Sequence, residues 1–143
     1  MNPSSPIVGA ERLTGHFGGW PSFHDAEVVR LVLDRHGTDG PTAELVVHVW
    51  SVGAEVDPDG RFPRREHALV RLLLERIASV DLAGFNHQNV LFSLDVVAET
   101  VGGTEGVRVT LDPSFGVGGS IVCRRVVVAD VRPCDETGRP SDP

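Results

Sequence analysis

The chain contains no lysine and no tyrosine, and all thirteen of its basic residues are arginine. Lysine and tyrosine codons are AT-rich, so a GC-rich genome accounts for this without any functional selection. Basic residues are also outnumbered, and the formal net charge of −7 removes nucleic acid as a default partner, because phosphates require a basic face. No apolar run approaches the roughly 20 residues that cross a bilayer, so no membrane segment is expected. The start, Met1-Asn2-Pro3-Ser4-Ser5-Pro6, lacks the charged and apolar regions of a signal peptide, which points to the cytoplasm. The two cysteines, Cys123 and Cys134, make neither a disulfide framework nor a zinc site. Cys123 lies in an apolar run that suits a buried thiol, and Cys134 lies in a polar tail. Both are expected to be reduced.

What is present suits one β-rich domain. At 143 residues the chain can bury about 70% of its unfolded surface, and residues 1–143 read as one unit with flexible tails at 1–9 and 133–143. Ala10–Phe17 can form a short helix that Gly18-Gly19 ends. Strands are expected at about Phe23–Arg35, Ala43–Val52, Val80–Leu82, Val90–Ala98, Val107–Leu111 and Ser120–Val131. Turn signals at His36–Pro41, Asp57–Gly60, Val101–Gly106 and Asp112–Gly119 separate them at short intervals, as in an antiparallel meander. Glu66 to Val80 is ambiguous. It is built from good helix formers, with Leu69, Leu72, Leu73, Ile77 and Val80 at helical spacing, and local propensity favours a helix.

The densest window is Trp20-Pro21-Ser22-Phe23-His24-Asp25-Ala26-Glu27. Two carboxylates beside a histidine could hold a divalent cation or transfer protons. A network of backbone and arginine bonds accounts for the same residues, and no second ligand motif accompanies His24, Asp25 and Glu27, so neither a metal nor a cofactor is expected. In a strand, Asp25, Glu27, Val29, Leu31 and Leu33 share one face, which the apolar members turn toward the core. Trp20 and Phe23 read as a buried plug at one end of the sheet, with a partner-binding anchor as the sharper alternative. Phe85, Asn86, His87, Gln88 and Asn89 form a polar loop that either bonds its own backbone or binds a ligand. Gly116-Val117-Gly118-Gly119-Ser120 lacks the lysine and helix of a phosphate loop and reads as a bulged hairpin. Arg61, Arg64 and Arg65 form a small basic patch that reads as solvated surface. No nucleophile-elbow or Cys/His signature accompanies the serines and histidines, and no catalytic residue is assigned.

Trp20-Pro21-Ser22-Phe23-His24-Asp25-Ala26-Glu27-Val28, followed by Gly84-Phe85-Asn86-His87-Gln88-Asn89-Val90-Leu91, resembles the Imm50 family of bacterial immunity proteins. The resemblance runs from about Phe17 to Pro133. It implies a mainly β or α+β domain, mostly antiparallel; with the elements read above, the expected fold is one antiparallel or curled sheet of about five to seven strands with a short N-terminal helix. It also implies a strand over Leu69–Glu75, against the local helical preference. The function it implies is stoichiometric, non-catalytic neutralisation of a cognate protein toxin, with a basic toxin suiting the acidic chain. The alternatives are a small metal-dependent or acid/base enzyme using His24, Asp25 and Glu27, and a ligand-binding or regulatory domain. Candidate partner- or ligand-binding residues are Trp20, Phe23, His24, Asp25, Glu27, Phe85, Asn86, His87 and Asn89.

Overall fold

A computed structural model describes residues 6–37, 39–52, 58–60 and 64–140. In chain order the elements are β1 (Ile7–Val8), α1 (Ala10–Phe17), β2 (Glu27–Gly37), β3 (Gly40–Val52), β4 (Arg64–Ala83), β5 (Val90–Val101), β6 (Thr104–Phe115) and β7 (Gly118–Pro133). They form one seven-stranded sheet in the order β1-β7-β4-β3-β2-β5-β6, and β6 also pairs with β7. That extra pairing curls the sheet into a ring. Every pairing is antiparallel except β1 with β7, where Ile7 lies beside Val126 and Val8 beside Val127.

β4 is the strand that local propensity assigned to a helix. Its residues Ala68, Val70, Leu72 and Leu74 are all buried, whereas Arg71 points out and pairs with Glu44 at 3.1 Å. A period of two puts four consecutive apolar side chains on one face, and pairing with β3 and β7 on both edges satisfies the backbone. Tertiary pairing therefore overrides propensity. The short strand read at Val80–Leu82 is the end of this same element.

The core fills the inside of the curl. Val28, Leu45, Val47, Leu72, Leu91 and Ile121 are among its members, and Leu13 of α1 is fully buried with them. The helix is held to β7, where the Arg12 guanidinium donates to the Val128 carbonyl at 2.8 Å.

The faces of β2 differ from the simple alternation. Ala26 and Val28 are buried and Val29 is exposed. Val29 is an extra residue in the β2–β3 ladder, between the pairs Val28↔Val47 and Arg30↔Val46, and this bulge returns Leu31 to the face of Val28. β2 itself begins at Glu27, and Phe23–Ala26 form a turn before it.

Ile7 and Val8 are paired as β1, and Cys134 is buried, bridged to Pro140. The return is set by Asp135, whose carboxylate accepts the Thr137 hydroxyl at 2.6 Å and the amides of Thr137 and Arg139. These bonds hold the Asp135 carboxyl below its ordinary range, the hydroxyl contributing most. Arg61 lies outside the described residues, as does part of the Asp57–Gly60 turn.

Burial pushes the Cys123 thiol from 9.0 up to about 11, opposed by a backbone hydrogen bond from Arg125 and aided by nearby Glu75. Cys134 is raised in the same direction by burial. A thiol whose folded value is raised keeps more protons in the native state, so its contribution is complete below pH 9.0 and is lost as pH rises through about 11. Urea midpoints measured across that window should fall for the native chain and fall less steeply for Cys123→Ala.

Candidate functional site

The two motifs singled out in the sequence meet in space and close the ring. α1 stops at Gly18, which takes the left-handed conformation with φ 80° and donates to the Thr14 carbonyl at 2.8 Å. The chain then crosses Trp20-Pro21-Ser22 and turns at Phe23–Ala26, where the Ala26 amide donates to the Phe23 carbonyl at 3.0 Å. Asp25 accepts a φ of 66° in this turn, a conformation that short polar side chains tolerate better than most. From here the amides of Asp25 and Val28 donate to the carbonyls of Leu91 and Asn89, at 2.8 and 2.9 Å, and the Leu91 amide donates to the Ala26 carbonyl at 2.8 Å. The β2–β5 ladder itself is a single pair, Glu27↔Val90.

Asn89 anchors the second motif. It is 4% exposed, and its Oδ1 accepts the amides of Asn86 and Val117, each at 3.0 Å, while its Nδ2 donates to the Asn86 carbonyl at 2.7 Å. Asn86 bonds the loop internally, to the Gln88 amide and the Gly84 carbonyl. Gly84 and Gly116 permit the close approach of this loop to the β6–β7 turn. Both have φ near +80°, and a Cβ on Gly84 would lie 2.7 Å from the Gly116 carbonyl oxygen. Asn86 and Asn89 are thus engaged in holding the loop, while Phe85 and His87 are exposed on it.

The first motif presents a surface. Trp20 is 41% exposed, which corrects its reading as a buried plug, while Phe23 is 3% exposed and fills that role alone. The two rings meet edge to face at 6.0 Å, so the buried phenyl supports the exposed indole. On each side of Trp20 lies a depression of about 430 Å³. One runs to Phe92, Leu94 and Val96, the other to Phe17, Trp50 and Ser51, and both share Trp20, Pro21, Ser22 and His24. Trp20 is the ridge between two grooves.

Phe92 completes the surface and was not singled out from the sequence. It is 55% exposed and is the residue skipped between the pairs Leu91↔Pro113 and Ser93↔Asp112, a bulge opposite a proline that has no amide to donate. The bulge turns its ring outward, edge-on to His24 at 5.2 Å, and presents its carbonyl to His24 Nδ1 at 3.0 Å. A carbonyl only accepts, so Nδ1 carries the hydrogen. Nε2 then lies 3.6 Å from the Asp25 carboxylate, with both side chains more than half exposed. Protonation would make this an ion pair that water screens heavily. Glu27 lies on the outward face of β2, between buried Ala26 and Val28. Among the described residues no three His, Cys, Asp or Glu side chains are grouped so as to hold a metal.

A second cluster also went unread. His48 is buried, its Nε2 is 3.0 Å from His67 Nδ1, and Trp50 packs against both rings. Trp50 links this cluster to the groove beside Trp20. The available signal was the run His48-Val49-Trp50 in a strand, which places two rings on one face.

The class defined here is a small curled-sheet β protein that presents an aromatic ridge, flanked by grooves, at the seam of its ring. The chain belongs to the immunity protein 50 family, Imm50, whose family model matches residues 9–134. No curated protein and no solved structure matches it. No helix among the described residues is long and apolar enough to cross a membrane.

Replacing Phe23 by Ala should cost about 3–5 kcal/mol, as for buried aromatics elsewhere. Trp20→Ala should cost only about 1 kcal/mol, since much of the ring is already in water. Asn89→Ala should cost about 1–3 kcal/mol by stranding the Val117 and Asn86 amides. Urea denaturation of the three variants measures the order directly.

Proposed function

We propose that this protein neutralises a cognate protein toxin by binding it one to one, without catalysis, and that the Trp20 ridge with Phe92 is the contact surface. The family name supports the immunity role. The observation that carries the surface is an exposed tryptophan between two grooves, on a segment fixed by the ring closure. Tryptophan dominates interface energetics, and a soluble chain rarely leaves clustered aromatics in water without a use. His24 serves here by orienting Phe92, through its bond to that residue's carbonyl.

Charge supports a basic toxin. Arg71, Arg76, Arg108 and Arg125 are paired with Glu44, Asp39, Glu99 and Glu75, which leaves the carboxylates in excess over a chain of net charge −7. Such a field raises association rates with a cationic partner and is weakened by salt. The toxin would be met in the cytoplasm.

The test is co-expression with a toxin encoded beside this gene, followed by calorimetric titration. Growth should be rescued and a one-to-one complex should form. Trp20→Ala and Phe92→Ala should each weaken it by about thirtyfold or more, the scale of a hot spot, with little change in stability. Asp25→Asn, at the exposed rim, should instead slow association and flatten its salt dependence. No rescue, with no complex at micromolar concentrations, would rule out the immunity reading.

A further inference from the structure

The seam that closes the ring is short, and it leaves an edge. Past Val28, whose amide still donates to Asn89, β2 has β3 on one side and no strand on the other among the described residues. Its regular ladder with β3 runs from Arg30 to Asp34, bounded by the bulge at Val29 and an irregularity before Gly37. An open edge of this kind offers a row of backbone donors and acceptors to another strand.

We infer that this edge pairs with β2 of a second copy of the chain, antiparallel about a two-fold axis through Val32. The free ladder has Val32 at its centre. In that register Arg30 faces Asp34 of the second copy, and Asp34 faces its Arg30. Leu31 faces Leu33 twice, and Val32 faces itself. Every opposed pair is thus either an opposite-charge pair or an apolar pair, the combinations that stabilise antiparallel strands. Arg30, Val32 and Asp34 share the outer face. Leu31 and Leu33 share the inner one, opposite the buried Leu45 and Ala43.

Leu33 shows what is missing. It belongs to the inward-facing set yet is 55% exposed, and no strand among the described residues continues the sheet beyond it. Edges kept apart by charge need like signs across the two-fold axis, whereas these place opposite signs there. β2 is also locally neutral, with two arginines against one aspartate and one glutamate, in a chain of net charge −7. Asp34 already accepts the His36 amide at 2.8 Å through one oxygen, which leaves the other for an arginine. A two-fold contact of this sort closes on itself and stops at the dimer. A ladder this short is small beside stable interfaces, so the dimer should be concentration-dependent. It rests on no assumption about the toxin.

Sedimentation velocity on the full chain, from micromolar to near-millimolar, should show reversible monomer–dimer exchange. Arg30→Asp and Asp34→Arg should each raise the dissociation constant by about tenfold, because each places two like-charge pairs across the axis. The double variant carrying both changes should restore it. Both positions are exposed, and thermal midpoints would confirm that the variants fold. Val32→Cys should form an intersubunit disulfide under mild oxidation, while Arg30→Cys should not. A monomer at every concentration, a dimer indifferent to the single swaps, or a double variant that fails to recover would each overturn the proposal. So would single swaps that weaken toxin capture while the free chain stays monomeric, since the edge would then belong to that partner.

Discussion

Three backbone hydrogen bonds, joining Asp25, Ala26 and Val28 to Asn89 and Leu91, decide the shape of this protein. Without them the β5–β6 hairpin would be attached only through β7, and the sheet would be an open ribbon with two long edges. Each such bond contributes only about 1 kcal/mol net, so the seam needs support from side chains. Phe23 supplies it from the core side and Asn89 from the loop side. Asn89 is the rarer device, a buried amide whose side chain bonds the main chain of Asn86 and Val117, outside the strands.

Much of the fold was legible because its signals are local. The helix at Ala10–Phe17 is bounded by glycines, and the strands are separated by turns rich in Gly, Pro, Asn and Asp. β4 shows how a correct signal can be overlooked. The set Leu69, Arg71, Leu73 and Glu75 looks poor as a strand face, but its complement, Ala68, Val70, Leu72 and Leu74, is wholly apolar. Helical spacing of leucines and a perfect alternation coexist in one segment, and only pairing with two neighbours separates them.

The site was harder to read, because bulges carry no sequence signature. Val29 is an extra residue in β2, so alternation counted from Asp25 put Val29 inside in place of Val28, although it placed Leu31 correctly. Phe92 sits in an apolar run that reads as core, and its exposure follows from one skipped residue opposite Pro113. Trp20 failed differently. Large aromatics are buried on average, yet a ring needs only one face covered, and Phe23 covers it. The family motifs pointed to the two segments that the hydrogen bonds of Asp25, Ala26 and Val28 to Asn89 and Leu91 bring together.

The seam links stability to the exposed surface. A loop that presents a tryptophan to solvent would ordinarily sample many conformations, and a partner would have to order it on binding. Here the segment is fixed at one end by the glycine cap of α1, and at the other by the bonds to β5. Between them Pro21 restricts the backbone and Phe23 anchors it in the core. The segment carrying the indole is therefore ordered by folding, which lowers the entropy that the proposed toxin contact would have to meet. The same economy explains why the joint is short. A longer β2–β5 ladder would pair the backbone groups of β2 past Val28, which this joint leaves as an edge among the described residues. A narrow joint closes the core while leaving the grooves and one strand edge open.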